Sequence, residues 1–221
     1  MEREQADKRA IDWGDLRRTR PIGRDFGFDR GHAVDRHYIE RFLARHRADI
    51  RGRVLEIGDR NYTRRFGADA VQRSDIYDLP RNPAATIKGD LGADANLPIG
   101  AFDCVIVPQT LLFIYDLSRA MRSLRAALAP GGVLLATVPG ISQIVRENMQ
   151  HEGDFWRFTD RSLRALAEEA FEPDRIEVSA HGNVLTCVAF LQGLAQEDLA
   201  PDELDVDDPD YPLIVTLRAR A

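Results

Sequence analysis

The chain has 221 residues, a net charge of −6 and an isoelectric point near 5.4, and 44% of its residues are hydrophobic. This composition is typical of a globular protein with a substantial core, and the acidic balance weighs against nucleic acid as a partner, which needs a basic face. No apolar run is long enough to span a bilayer, and the charged segment 1–9 lacks the apolar core of a secretory signal after it. We therefore expect a cytoplasmic protein with no membrane partner.

The start of the chain is predicted to form an N-terminal arm, a loop and a helix within residues 1–50, ahead of a single domain at residues 51–221. The loop at residues 21–31 carries two phenylalanines that a solvated linker would not need, so we expect it to pack on the domain. Apolar residues then recur at helical spacing and predict a helix over residues 34–50, with Asp35 as its cap.

A short apolar run opens the domain and breaks at a glycine. Val54, Leu55 and Ile57 are too few for a helix and indicate a buried parallel strand, which ends at Gly58, where the chain must turn. In an open α/β sheet, ligands bind just beyond the carboxyl ends of the strands, so this turn is the first candidate for a binding site.

Six further strands follow, and helices alternate with several of them. The strands are predicted at residues 71–76, 86–90, 102–107, 133–138, 175–178 and 213–217. Helices are predicted at residues 117–128 and 160–170, with Pro130-Gly131-Gly132 as the turn after the first of them. Residues 183–194 are apolar, and their pattern leaves open whether they begin as strand and continue as helix. This alternation predicts an α/β fold with a doubly wound, mostly parallel sheet.

The first three predicted strands end in Gly58, Asp75 and Asp90, which brings polar groups to one rim of the sheet. Asp75 follows Gly58 at close to the spacing of roughly 20 residues at which a carboxylate meets a ribose diol. A carboxylate can accept from both ribose hydroxyls, and a second acid one strand over can accept from the amine of an adenine. The pattern therefore favours a ligand that contains adenosine.

Taken together, these motifs resemble the class I S-adenosylmethionine-dependent methyltransferases over roughly residues 52–221. The resemblance is carried by Val54-Leu55-Glu56-Ile57-Gly58, Asp75, Gly89-Asp90, Leu97-Pro98, Phe102-Asp103-Cys104-Val105-Ile106, Pro130-Gly131-Gly132 and Trp156-Arg157-Phe158-Thr159. It implies a seven-stranded Rossmann-like methyltransferase sheet whose last strand is antiparallel, and S-adenosyl-L-methionine as the cofactor.

The resemblance also implies a role for each matching residue. Glu56 and Gly58 would line the methionine end of the cofactor, and Asp75 would hold its ribose hydroxyls. Asp90 and the backbone of Leu91 would contact the adenine. Gln109 would lie near the sulfonium.

The sequence departs from the family pattern at three positions. Arg60 and Tyr62 stand where the family usually has glycines, and Phe113 replaces a common histidine after the fourth strand. A cation near the sulfonium would be unfavourable unless Arg60 points outward or pairs with Asp59.

Neither a metal site nor a disulfide is predicted, and one histidine is a candidate base. Cys104 and Cys187 lie in apolar stretches without the spacing of metal ligands, so we expect buried free thiols. His151, next to Glu152 and just before the aromatic loop, is the candidate general base, although an exposed loop histidine without a catalytic role is the commoner case.

The sequence as a whole predicts a methyltransferase acting on a small-molecule acceptor, with oxygen as the expected acceptor atom. The first alternative is a methyltransferase fold that no longer methylates and serves as a binding or partner subunit, which the lost glycines support. The second is a nicotinamide-dependent oxidoreductase, against which the absent Gly-x-Gly-x-x-Gly pattern counts. The sequence does not decide between a monomer and a homodimer.

Overall fold

A computed structural model describes residues 12, 14, 17–146 and 153–221 of the chain. Seven strands form one sheet: β1 (Gly52–Ile57), β2 (Val71–Asp78), β3 (Ile87–Lys88), β4 (Phe102–Pro108), β5 (Leu128–Pro139), β6 (Ile176–His181) and β7 (Ile214–Arg220). The described residues also form five α-helices: α1 (Val34–Arg45), α2 (Leu117–Ala127), α3 (Asp160–Glu168), α4 (Val184–Leu191) and α5 (Pro201–Leu204). The strand order across the sheet is β3-β2-β1-β4-β5-β7-β6.

Helices cover both faces of this sheet, as the alternating pattern predicts. In β4, Val105 and Val107 pack with α2 and α3 on one face, while Cys104 and Ile106 pack with α1 and α4 on the other. All four side chains are fully buried, which explains why the β4 sequence is apolar without alternation. The doubly wound α/β fold is therefore confirmed.

The last strand runs against its neighbours. β7 pairs antiparallel with β5 on one side and with β6 on the other, whereas β1, β2, β3, β4 and β5 pair in parallel. The predicted antiparallel last strand is confirmed. A dinucleotide-binding sheet usually has the order 3-2-1-4-5-6 with no such insertion, so the topology counts against the oxidoreductase alternative.

The turn predicted after α2 is wrong, because β5 begins directly at the end of the helix. Helix α2 ends at Ala127, and Pro130-Gly131-Gly132 lies within the irregular start of β5. There the pairing with β4 passes from Leu128 directly to Val133, so the intervening residues bulge out of the ladder instead of forming a separate turn.

The segment 183–194 contains no strand, because Asn183 accepts from the backbone N–H of Thr186 and starts α4 immediately.

Helix α1 is shorter than predicted and is not capped by Asp35. It begins after Ala33, which makes no side-chain cap, and it ends at Arg45, with a separate 3-10 turn at Arg47–Asp49 before β1. Asp35 lies inside the first turn and is only 7% exposed. A buried acid at this position is available for something other than capping.

The N-terminal loop packs on the domain, as its aromatic residues predict. Phe26 lies against Phe190 of α4 with ring centroids 5.8 Å apart, and the Gly23 N–H donates to the Gln192 carbonyl at 2.9 Å. A Cβ at Gly27 would come within 2.2 Å of the Leu194 carbonyl oxygen, so only glycine allows this close approach. The loop thereby becomes part of the wall next to the carboxyl edge of the sheet.

The described residues include neither a membrane-spanning helix nor a metal site. None of their helices is long and apolar enough to cross a membrane. No group of three side chains among them is arranged to hold a metal ion. Cys104 and Cys187 are buried free thiols, as predicted.

Candidate functional site

The turn after β1 is shaped by a single glycine. Gly58 has a φ of 89°, a conformation that side chains with a Cβ rarely adopt, and its N–H donates to the Tyr77 carbonyl at 3.0 Å. No atom lies within 4 Å of the place where a Cβ would stand, so the backbone conformation rather than space requires glycine here. The turn leaves open room above the carboxyl end of β1.

Glu56 holds the start of the helical segment that follows this turn. Its side chain is fully buried, and its carboxylate accepts from the backbone N–H groups of Tyr62 at 3.1 Å and Thr63 at 2.7 Å. Burial raises the pKa of Glu56, and the hydrogen bonds from Thr63 and Tyr62 offset part of that rise. Glu56 thus stabilises the turn and also forms part of a cavity wall.

The two residues that replace family glycines point in different directions. Arg60 lines a separate surface depression together with Thr63 and Arg64, on the far side of the turn. Tyr62 faces the cavity above the turn, and its ring stacks near Phe66 with centroids 6.2 Å apart. Burial raises the pKa of Tyr62 to about 12, so it is a neutral wall. The Arg60 side chain therefore lies outside the cavity above the turn.

The prediction that Asp75 ends the second strand is wrong. Strand β2 continues to Asp78, and Asp75 pairs with Leu55 in the middle of the sheet. Asp75 is 3% exposed and its carboxylate forms ion pairs with Nε of Arg53 at 2.8 Å and Nε of Arg73 at 3.1 Å. It also accepts from the Thr86 hydroxyl at 3.2 Å. Asp75 is an internal ion-pair residue, away from the rim.

Asp78 occupies the rim position instead. It is the last residue of β2, and its carboxylate accepts from the Leu79 N–H and from the Asn82 side-chain amide, each at 2.7 Å. The same Asn82 amide donates to the Gly58 carbonyl at 2.9 Å, which ties this acid to the glycine turn. Its spacing from Gly58 matches the rule of roughly 20 residues better than that of Asp75, a signal that sequence reasoning missed.

Asp78, Asp90 and Leu91 share a cavity of about 170 Å³ at the ends of β1, β2 and β3. We call it the Asp78 cavity; Ile57, Tyr77, Leu79, Gly89, Thr110, Phe113 and Ile114 complete its wall. Asp90 accepts from the Gly92 N–H at 2.8 Å, and Leu91 is 3% exposed. Two acids in a mostly apolar pocket can accept from a diol and from an amine on a flat ring.

Gln109 lies on a second cavity of about 450 Å³, which we call the Glu56 cavity. Its wall is formed by Phe28, Arg36, Glu40, Glu56, Ile57, Asp59, Asn61, Tyr62, Arg65, Pro108 and Gln109. Gln109 follows β4 with a φ of 45°, unusual for a residue other than glycine, and its N–H donates to the Thr137 carbonyl at 2.9 Å. Because Ile57 lines both cavities, they adjoin at the end of β1.

The structure thus brings five of the six predicted binding residues, Glu56, Gly58, Asp90, Leu91 and Gln109, to the carboxyl edge of the sheet, and it moves Asp75 away from that edge. His151, the predicted base, lies outside the described residues. Phe113, which stands in place of a family histidine, lines the Asp78 cavity.

The chain matches known proteins in part of its sequence and in most of its fold. Residues 49–136 match the family model for a methyltransferase domain. An S-adenosylmethionine-dependent methyltransferase from Mesorhizobium loti is 18% identical over 86% of this chain and 98% of its own, with a TM-score of 0.56. The N-methyltransferase NodS from Bradyrhizobium japonicum WM9, solved with S-adenosylhomocysteine, is 14% identical over 90% and 94%, with a TM-score of 0.51.

The same fold also occurs in a protein with a different activity. The cyclase SpnF is 18% identical over 91% of this chain and 86% of its own, with a TM-score of 0.53. No curated protein matches this sequence at a significant level. The domain match thus extends across β1 to β5, and the chain as a whole has the fold of S-adenosylmethionine-dependent methyltransferases.

Proposed function

We propose that this protein binds S-adenosylmethionine along the carboxyl edge of its sheet and transfers the methyl group to a small-molecule acceptor, at oxygen. The observation that carries the proposal is the pair of adjoining cavities, one with Asp78 and Asp90 and the other with Glu56 and Gln109. Their order suits adenosine at one end and an amino acid at the other.

The Asp78 cavity fits the adenosine half of the cofactor. Asp78 would accept from the two ribose hydroxyls, because a carboxylate keeps spare acceptor sites after its bonds to Leu79 and Asn82. Asp90 would accept from the adenine amine, and Leu91 would pack against the ring. We propose Asp78 for the ribose in place of Asp75, which is committed to two arginines inside the sheet.

The Glu56 cavity fits the methionine half. It contains side chains of both charges, among them Arg36, Arg65, Glu40 and Asp59, as a zwitterionic amino acid requires. Gly58 provides the open turn, and Gln109 would lie toward the sulfonium. Bound there, S-adenosylmethionine supplies an activated methyl group, and the protein contributes mainly by holding the acceptor in line with it.

Calorimetric titration tests the proposal directly. S-Adenosylhomocysteine is expected to bind and NAD is not, because the acids and the single-glycine turn suit the first ligand, whereas no glycine-rich pyrophosphate loop follows β1. Absence of measurable binding of S-adenosylhomocysteine would overturn the proposal, and binding of NAD alone would favour the oxidoreductase.

Replacement of Arg60 tests whether the departures in the turn affect the site. Arg60→Ala is expected to change the affinity for S-adenosylhomocysteine by less than about threefold, because the side chain lines the opposite face of the turn. Arg65→Ala, which removes an arginine from the Glu56 cavity, is the matched comparison and should weaken binding. A tenfold or larger effect of Arg60→Ala in calorimetry would contradict the outward placement.

A non-catalytic binding subunit is the second candidate, and Arg60 and Tyr62, which stand where the family usually has glycines, favour keeping it. The two candidates separate when S-adenosylmethionine carrying a tritiated methyl group is incubated with the protein and a panel of small hydroxyl compounds. Transfer of label to any of them excludes the non-catalytic candidate. Binding of S-adenosylhomocysteine without transfer favours it.

A further inference from the structure

A third cavity, of about 230 Å³, adjoins the Glu56 cavity. Phe28, Arg36 and Gln109 line both cavities, so the two are continuous around Gln109. The remaining wall is mainly apolar, with aromatic rings from the N-terminal loop, from the segment after β4 and from α4. We call it the Asp35 cavity, after the one acid among the described residues that line it.

Asp35 is buried in this wall with half of its carboxylate unused. The side chain is 10% exposed, and Oδ2 accepts from Nη1 of Arg36 at 3.0 Å. Oδ1 is buried and has no hydrogen-bond partner among the described residues. Leaving a carboxylate oxygen in this state is costly, and α1 does not use it as a cap. An acceptor without a partner, on a residue that lines an apolar cavity, is suited to a ligand with one donor.

We infer that the Asp35 cavity is the acceptor site and that Asp35 receives the hydroxyl proton of a small phenolic acceptor during methyl transfer. The inference rests on the proposed function, since it needs a methyl donor in the Glu56 cavity. It goes further by assigning the acceptor class and the base.

The charges around the cavity favour a neutral acceptor over an amine. Arg36 already lines the Asp35 cavity, and the sulfonium of the donor would lie beside Gln109, so a cationic amine would meet two positive charges. A hydroxyl enters neutral, and the negative charge that develops on its oxygen is stabilised by Arg36. The guanidinium is itself held over the Phe28 ring at 5.6 Å.

The size and lining of the cavity favour one aromatic ring. The apolar part of its wall includes four aromatic rings and one leucine: Phe26, Phe28, Phe113, Phe190 and Leu112. An apolar cavity of roughly 150 Å³ accommodates benzene, so about 230 Å³ is enough for a ring with a small substituent. A phenol is also more acidic than an aliphatic alcohol, so a carboxylate base is sufficient for it.

The transfer step balances with the groups named. The hydroxyl oxygen forms a bond to the methyl carbon, the carbon–sulfur bond breaks, and its electron pair stays on sulfur to give neutral S-adenosylhomocysteine. The hydroxyl proton passes to Oδ1 of Asp35 and leaves for solvent after the methyl ether dissociates. Burial raises the pKa of Asp35 above its ordinary 3.8, with the charge of Arg36 and nearby N–H groups offsetting part of the rise, so the carboxylate is a stronger base than an exposed one.

Binding of 4-methylphenol to the full-length protein saturated with S-adenosylhomocysteine tests the acceptor class without any turnover. Saturation-transfer NMR is expected to detect binding of 4-methylphenol. The corresponding amine and acid, 4-methylbenzylamine and 4-methylbenzoate, are expected to bind at least about tenfold more weakly. If S-adenosylhomocysteine binds but 4-methylphenol does not, the acceptor assignment is overturned while the proposed function stands. Equal or tighter binding of the amine overturns the choice of a neutral hydroxyl.

Asp35→Asn tests the role of the base. The amide oxygen still accepts from a hydroxyl, so binding of 4-methylphenol should stay within about threefold, whereas transfer of a tritiated methyl group should fall at least about a hundredfold. Asp29→Asn makes the same change at an exposed acid of the N-terminal loop and should leave both unchanged. Because Asp35→Asn removes a buried charge whose Oδ1 has no hydrogen-bond partner, and the amide oxygen can still accept from Arg36, the variant is expected to melt no lower than the wild type.

Two results would overturn the role of Asp35. One is transfer by Asp35→Asn at the wild-type rate. The other is binding of 4-methylphenol by the wild type without any transfer. If Asp35→Asn retains transfer and His151→Ala loses it, the base is His151 and the assignment of Asp35 is wrong.

Discussion

Asp78→Asn is expected to weaken the binding of S-adenosylhomocysteine roughly a hundredfold, whereas Asp75→Asn leaves it within about threefold. Two hydrogen bonds from ribose hydroxyls to a charged acceptor are together worth about 3 kcal/mol, which corresponds to this change in affinity. Asp78 lies at the end of β2 beside Asp90 in the same cavity, while Asp75 lies opposite Leu55 inside the sheet. The comparison therefore tests the rim position of the acid directly.

Calorimetric titration of the folded proteins measures both affinities. Asp174→Asn is the matched control, because it makes the same change at an exposed position before β6, at the other end of the strands. A loss of binding in Asp75→Asn with full binding retained by Asp78→Asn would contradict the assignment. Asn82→Ala should have a smaller effect than Asp78→Asn, because Asn82 only fixes Asp78 and the Gly58 carbonyl in place.

Removal of Asp75 is expected to destabilise the fold instead. Asp75→Ala should lower the free energy of unfolding by about 3 kcal/mol, because it leaves Arg53 without its buried partner. The loss lies at the low end for a buried pair, since the Arg53 side chain is 27% exposed and also lies over the Phe102 ring at 4.7 Å. For a chain of this size the melting temperature should fall by roughly 6 to 12 °C.

The same residue should make part of the stability depend on pH. Burial alone would raise the pKa of Asp75, but the hydrogen bonds and charges of Arg53 and Arg73 outweigh it and hold the pKa below the ordinary 3.8. A carboxyl whose pKa is lowered by folding contributes stability above its unfolded pKa and loses it as the pH falls through the folded value. The stability difference between wild type and Asp75→Ala should therefore be full at pH 7 and shrink below about pH 4.

Urea unfolding at pH 7 and at pH 3 measures that difference, and Asp174→Ala is the control for loss of an exposed acid. A difference that is the same at both pH values would contradict the ion-pair explanation. An unchanged stability at pH 7 would contradict the structural role of Asp75 altogether.

The apolar runs of the sequence predict the sheet well, and their failures are local. The buried runs at β1 and β4 and the alternation of strands with helices are sufficient to predict a doubly wound sheet, because a strand covered on both faces has no polar alternation. The prediction of a turn at Pro130-Gly131-Gly132 is wrong, because a bulged strand and a turn use the same residue types.

In the candidate site, the role of Gly58 could be predicted from the sequence, because it depends on the backbone conformation of that one residue. Gly58 follows an apolar strand, and its positive φ is what a glycine at such a turn predicts. The acid at the end of β2 could not be predicted, because Asp75 and Asp78 both follow Gly58 at nearly the expected spacing. Only the register of β2 against β1, with Tyr77 opposite Ile57, puts Asp78 at the rim.

The sequence by itself determined the fold class, the family resemblance and the glycine turn, because these depend on local patterns of apolar residues and on one backbone conformation. The tertiary structure alone decided which acid reaches the rim, that Arg60 points away from the cavity, and that Asp35 of α1 lies in the same wall as Gln109 after β4. Side-chain direction and contacts between distant segments depend on how helices pack on the sheet, and no spacing along the chain encodes that packing.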